Sequence, residues 1–302
     1  AFASLEQTLH GGGTRGVGTA DAEGVPERPL RDVLIDVLDG LLDQGIAFED
    51  GVNWIDVSFD PGQGVVRPSA LLTDLYSGLG GVALVFERAY RSLGDRRYLE
   101  AAERCLRREH ENWQRSPAAR DRWIRSTPEG VGTRAGVVAG WWALGRHEEH
   151  GTYREAAREL ATSLTDRTIS NDHGYDVIAG SAGYILLLLR LAKEEPIPGL
   201  GEVVSRLADH LVASASTMDG PGWKGTTRQL PLCGFGHGRA GIALALLEAG
   251  ALLDRRDLRT FGERVFEAEH RLRGDEPANG WPDYRGVAPA DRSSAILGSP
   301  QW

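Results

Sequence analysis

The chain has 302 residues, 41% of them hydrophobic and 25% charged, a composition that suits one or two packed domains and excludes wholesale disorder. With 34 basic and 43 acidic residues the formal net charge is −9, which excludes broad non-specific attraction to nucleic acid or to an anionic membrane. Two cysteines cannot build a disulfide framework, and no apolar run approaches the roughly 20 residues that span a bilayer. Residues 1–15 lack a basic start followed by an apolar run, so no signal peptide is read there and a cytoplasmic location is expected.

In chain order, residues 1–30 carry Gly11-Gly12-Gly13, Gly16, Gly18 and Gly24 with little apolar periodicity, and are expected to be a linker. The only methionine is Met218, so a preceding segment is expected as well. A domain is placed over 31–302. Leu34, Val37, Leu38 and Leu41 fall at three- and four-residue steps and predict a helix from Arg31 to about Leu42. A polar loop rich in glycine and proline is expected from there to about Pro68.

Beyond that point the chain repeats itself. A glycine-rich word opens an apolar helix at Ser77-Gly78-Leu79-Gly80-Gly81, Thr133-Arg134-Ala135-Gly136, Gly180-Ser181-Ala182-Gly183 and His237-Gly238-Arg239-Ala240-Gly241. The last glycines of the words are 55, 47 and 58 residues apart, room for two helices and two connections per repeat. Stretches such as Tyr184 to Leu191 are apolar on most sides and must be surrounded by protein, whereas Tyr153, Ala156, Ala157 and Leu160 share one face of a helix charged on the other. Buried helices alternating with half-exposed ones predict an all-α, two-layer α/α ring or solenoid. Glycine lets neighbouring backbones approach closely where inner helices begin, and stacked repeats would gather those N-termini, with their free N–H groups, at one rim.

The unusual chemistry falls at these helix starts. Asp176 lies four residues before Gly180, and His237 immediately before Gly238, one repeat later. A histidine oriented by an aspartate is an acid/base candidate near neutral pH; capping or packing is the alternative the residues leave open.

Leu75-Tyr76-Ser77-Gly78-Leu79-Gly80-Gly81-Val82-Ala83-Leu84, Tyr175-Asp176-Val177-Ile178-Ala179-Gly180-Ser181-Ala182-Gly183 and Gly234-Phe235-Gly236-His237-Gly238-Arg239-Ala240-Gly241-Ile242-Ala243 resemble successive motifs of lanthionine synthetase C-like cyclases. Trp281-Pro282-Asp283-Tyr284-Arg285 adds a fourth match, and the set is most similar to the C-terminal cyclase domain of class II lanthipeptide synthetases, over about Arg31 to Trp302. The resemblance implies an α,α-toroid of seven helix pairs, of which about four are expected in this chain. It implies an enzyme of lantibiotic biosynthesis that adds cysteine thiols of a precursor peptide to dehydroalanine or dehydrobutyrine, forming thioether rings. His237 would be the acid/base position and Asp176 its support, with a dehydratase domain upstream. Family members bind zinc through two cysteines and a histidine, which holds a substrate sulfur as thiolate at neutral pH. Ser299-Pro300-Gln301-Trp302 resembles the approach to the first ligand motif, so the ligands are expected to be absent and this chain alone inactive as a cyclase.

The chain's own donors offer poor substitutes. Cys233 and His237 stand four apart, but the family position matching Cys233 is not a ligand, and Cys105 falls midway along an outer helix. His147-Glu148-Glu149-His150 has its histidines three apart where a zinc-protease helix has four, and a solvated helix end is expected. Trp141 and Trp142 are expected to pack in the core or rim, and neither Arg285 nor Arg292 matches the family's active-site arginine residue by residue. A non-catalytic peptide-binding scaffold is the second reading. An α/α-barrel glycosidase, with Asp74 as the nearest partner for Asp176, ranks third.

Overall fold

The computed structural model describes residues 28–60, 64–217, 220–225, 230–273, 280–285, 287–295 and 297–298. Residues 1–27 of the expected 1–30 linker and the segment Ser299 to Trp302 lie outside the described residues. The chain divides into two compact units, 1–43 and 44–302. In the first, helix α1 (Leu30–Asp43) starts behind Pro29, whose carbonyl accepts from the Asp32 and Val33 N–H groups, and Asp32 lies in its first turn, where a negative charge suits the helix dipole.

The second unit opens with a departure from expectation. In place of a polar loop there are two antiparallel hairpins, β1 (Ile46–Phe48) with β2 (Gly51–Asn53), and β3 (Ile55–Asp60) with β4 (Val65–Ala70). Ile55, Val57 and Phe59 alternate with polar residues at the strand period, a signal the surrounding glycines and prolines obscured. The Asn53 side chain ties the hairpins' ends together, accepting from the Trp54 and Leu71 N–H groups and donating to the Leu71 carbonyl.

Among the described residues four helical hairpins follow: α2 (Leu79–Leu93) with α3 (Arg96–Arg115), α5 (Thr133–Leu144) with α6 (Gly151–Thr162), α8 (Ser181–Ala192) with α9 (Leu200–Ser214), and α10 (Arg239–Leu252) with α11 (Arg256–His270). Two shorter helices, α4 (Pro117–Ile124) and α7 (Asp166–Ser170), lie in the connections. The first helices of the pairs pack in sequence, α2 on α5, α5 on α8 and α8 on α10, and the second helices form an outer layer in the same order, α3, α6, α9, α11. This is the all-α, two-layer arrangement that the repeats predict, in the form of the α,α-toroid that the resemblance implies.

Burial follows the apolar pattern. Every residue of α5 after Thr133 is buried, whereas α6 buries only Tyr153, Ala156, Ala157, Leu160 and Ala161, one face of the helix. At roughly 1.5–3 kcal/mol per large apolar side chain, this seam is what holds the layers together. Trp141 and Trp142 belong to the core, the first edge-on to Trp113 and the second covered by the Arg154 guanidinium at 3.6 Å. His147 and His150 do not form a solvated helix end. His147 Nε2 lies 3.1 Å from Oε1 of the buried Glu87, with only 17% of its side chain exposed, because the connection after α5 folds back over α2. β5 (Trp281–Pro282) pairs with β6 (Leu297–Gly298) near the end of the described residues, and Arg292 lies in the 3-10 turn over Pro289–Ser294.

Candidate active site

The rim is built by backbone hydrogen bonds between successive repeats. Counting back five residues from the last glycine of each word gives Tyr76, Val131, Ile178 and Gly236. These four equivalent residues form a ladder: the Tyr76 N–H donates to the Val131 carbonyl, the Val131 N–H to the Ile178 carbonyl, and the Ile178 N–H to the Gly236 carbonyl, each at 3.1 Å. Close approach is what the glycines permit. A Cβ on Gly183 would fall on the Val177 carbonyl oxygen and within 2.6 Å of the Gly130 Cα, so the third repeat can seat against the second only if both positions lack side chains.

The ladder dictates the site. Two residues before each ladder position, counting seven back from the glycine, stand Asp74, Glu129 and Asp176, and each turns its carboxylate on its own loop: Asp74 accepts from the Ser77 N–H, Glu129 from the Thr133 N–H and Asp176 Oδ1 from the Ala179 N–H at 2.7 Å. The residue after each ladder position is Ser77, Gly132, Ala179 or His237, so a histidine stands only at the junction of the third and fourth repeats. Because the Gly236 carbonyl is bound to the Val177 and Ile178 N–H groups, His237 is delivered to Asp176 across 61 positions of sequence, with His237 Nδ1 3.0 Å from Asp176 Oδ2. The aspartate side chain is 2% exposed and the histidine side chain 34%. An ionised carboxylate can only accept, so Nδ1 carries hydrogen and Nε2, across the ring, is the atom placed to give or take a proton. The two residues expected from sequence to act together are thus in contact.

Sequence reasoning missed the groups that hold this pair. Asp172, 2% exposed, fixes the loop between itself and α8: its Oδ1 accepts from the Gly174 and Tyr175 N–H groups and its Oδ2 from the Ser181 N–H and hydroxyl. Within that loop Tyr175 takes φ 62, the left-handed region a bulky residue rarely adopts, and its ring stacks on His210 at 5.6 Å. In the fourth repeat Gly234 stands where the others have a carboxylate. Glu269, reaching in from α11, replaces it by accepting from the Gly234 and Ala240 N–H groups. Burial pushes the Glu269 carboxyl above the usual range, against those two bonds. The signal for Glu129 was present at the seventh position before a repeat glycine; nothing local marks Glu269, which comes from another helix.

Burial pushes the Cys233 thiol up to about 12, with Glu269 adding to the rise, and burial likewise pushes Cys105 to about 12 inside the outer layer. Among the described residues no three His, Cys, Asp or Glu side chains are grouped to hold a metal ion. Arg285 pairs with Asp283, two residues back, at the exposed end of β5. Asp74 caps its own loop, accepting from the Ser77 N–H and hydroxyl.

The model of the family described as lanthionine synthetase C-like protein matches residues 69–302, from just before the first repeat. The chain belongs to the lanthionine synthetase C-like family. The match takes in all four helical hairpins and both residues of the Asp176–His237 pair. No curated protein matches the chain. Among solved structures, one titled as a crystal structure of D-mannose isomerase is similar over 91% of this chain and 96% of its own, at 11% identity and a TM-score of 0.36, a likeness too slight to bear on function. Among the described residues no helix is long and apolar enough to cross a membrane.

Proposed function

We propose that this lanthionine synthetase C-like chain takes part in lanthipeptide biosynthesis, closing thioether rings in a dehydrated precursor peptide. The observation that carries the reading is the Asp176–His237 contact at the rim of a family member. In the reaction a cysteine sulfur of the peptide attacks the β-carbon of a dehydroalanine or dehydrobutyrine, and the alkene electrons move onto the adjoining carbonyl as an enolate. A proton must then reach the α-carbon. His237, protonated, gives it from Nε2, while Asp176 stabilises the imidazolium through Nδ1 and fixes the ring's orientation. The thiol proton lost at the start balances the one delivered at the end.

No step is assigned to a metal on these residues. The family's zinc would serve the sulfur, holding it as thiolate at neutral pH. The substrate side of the proposal is a peptide bearing dehydro residues, which a dehydratase domain must supply.

The test uses the complete gene product with a dehydrated peptide carrying one free cysteine, followed by N-ethylmaleimide and mass spectrometry. Ring closure consumes the thiol without changing mass, so the expected result is loss of the maleimide adduct. Peptide binding with the adduct fully retained would instead mark a peptide-binding scaffold.

A further inference from the structure

The C-terminal halves of the inner helices carry a second feature, away from the rim. A cleft of about 510 Å³ is lined by Leu84, Glu87, Arg88 and Arg91 from α2, Arg146 just past α5, and Arg190 and Glu194 from α8 and its end. Four guanidinium groups from three successive repeats thus face two carboxylates.

The carboxylates are already engaged. Glu194 accepts from Arg146 at 2.6 Å and from Trp142 Nε1 at 3.0 Å, and Glu87 lies 3.1 Å from His147 Nε2. What remains for the other arginines is weak: Arg190 lies 3.6 Å from Glu194, and Arg91 lies 4.0 Å from Glu87. Arg88 is exposed and has no hydrogen-bond or ion-pair partner among the described residues. Complementing a helix C-terminus accounts for Arg91 and Arg190, in the last turns of α2 and α8, but not for Arg88 a turn earlier. Leu84, Arg88 and Arg91 fall on one face of α2 at steps of four and three, so the unpaired Arg88 and the weakly paired Arg91 line the same wall. Planar guanidinium groups with spare N–H donors match the paired oxygens of phosphate and carboxylate.

We propose that this cleft is an oxyanion-binding site, with Arg88, Arg91 and Arg190 as its donors. The site stands apart from the ring-closing reading and does not depend on it. Its ligand carries phosphate or clustered carboxylates, either as a free phosphate compound or as an acidic stretch of peptide.

Calorimetric titration of the full chain with inorganic pyrophosphate and, separately, with a hexaglutamate peptide distinguishes the two sources. Arg88→Gln combined with Arg190→Gln is expected to weaken the binding probe about tenfold or more, the worth of a lost charged hydrogen bond. Arg264→Gln, the same charge change on an outer helix, is expected to leave it unchanged. Since Arg88 and Arg190 hold no short internal bond, the double variant keeps its thermal midpoint. Binding of pyrophosphate alone assigns a phosphate ligand; binding of the peptide assigns an acidic segment. Neither probe binding at about 10 mM, or the double variant binding as the unaltered chain does, overturns the proposal.

Discussion

Asp176 and His237 come from different repeats, yet Nδ1 of the histidine lies 3.0 Å from Oδ2 of the aspartate because the Gly236 carbonyl is hydrogen-bonded to the two residues that follow Asp176. The backbone ladder fixes where the histidine sits, and the buried carboxylate fixes which of its nitrogens carries hydrogen. A change in either should act on chemistry before it acts on binding.

Asp176→Asn separates orientation from charge. The amide keeps an oxygen for the Ala179 N–H but turns a donor toward Nδ1, which favours the wrong tautomer of His237. Ring closure by the complete gene product is expected to fall by about 10²–10⁴-fold with peptide affinity unchanged, by analogy with the effect of an oriented carboxylate on a catalytic histidine. Single-turnover kinetics beside a binding isotherm make the distinction.

Gly183→Ala should be among the most damaging single-atom additions in the chain. Its new methyl meets the Val177 carbonyl and the Gly130 Cα, backbone atoms that cannot step aside singly, and a loss of about 3 kcal/mol is expected. Gly151→Ala, at the start of α6 with nothing within 4 Å, is expected to be neutral or stabilising by up to about 1 kcal/mol. Denaturant midpoints of the pair give the comparison.

Arg134 is fully buried with no carboxylate partner among the described residues, spending its donors on the Trp123 and Leu160 carbonyls, the Ser126 and Ser163 hydroxyls and Tyr184 Oη. It pins the loop before α5 to the end of α6. Arg134→Met removes this whole set of charge-assisted hydrogen bonds from a buried site, and is expected to cost about 3 kcal/mol in urea unfolding. Arg134→Lys should not restore it, since a single ammonium cannot reach acceptors spread around a fork.

Cys233 supplies a pH prediction. With its thiol pushed up to about 12 by burial and by Glu269, the thiolate fraction at pH 8 lies about a thousandfold below that of a free cysteine. Lower pKa favours the reactive form and raised pKa opposes it, so alkylation by iodoacetamide should be slow at pH 8 and still climbing about tenfold per pH unit at pH 9. A rate that levels off near pH 8.5 would show an ordinary thiol.

The helical repeats were legible because the apolar pattern and the glycine words share one cause, inner helices that must be surrounded and whose starts must crowd together. Asp176 and His237 were legible as chemical residue types at those starts. Their pairing was implied by the resemblance, but the register that produces it was not legible, since it rests on the ladder of Tyr76, Val131, Ile178 and Gly236. The hairpins over residues 46–70 were hidden by short strands among turn formers. Glu269 was hidden because its partners, the Gly234 and Ala240 N–H groups, lie 35 and 29 residues back, at and just before the start of the other helix of its hairpin.

The central claim is that His237 delivers the proton that completes ring closure. The measurement is the rate at which the complete gene product, unaltered or carrying His237→Ala, removes maleimide-reactive thiol from a dehydrated peptide, beside the affinity of each for that peptide. Closure by the variant is expected to be slowed about 100-fold or more with affinity unchanged. Rings formed by the variant at the unaltered rate would contradict it.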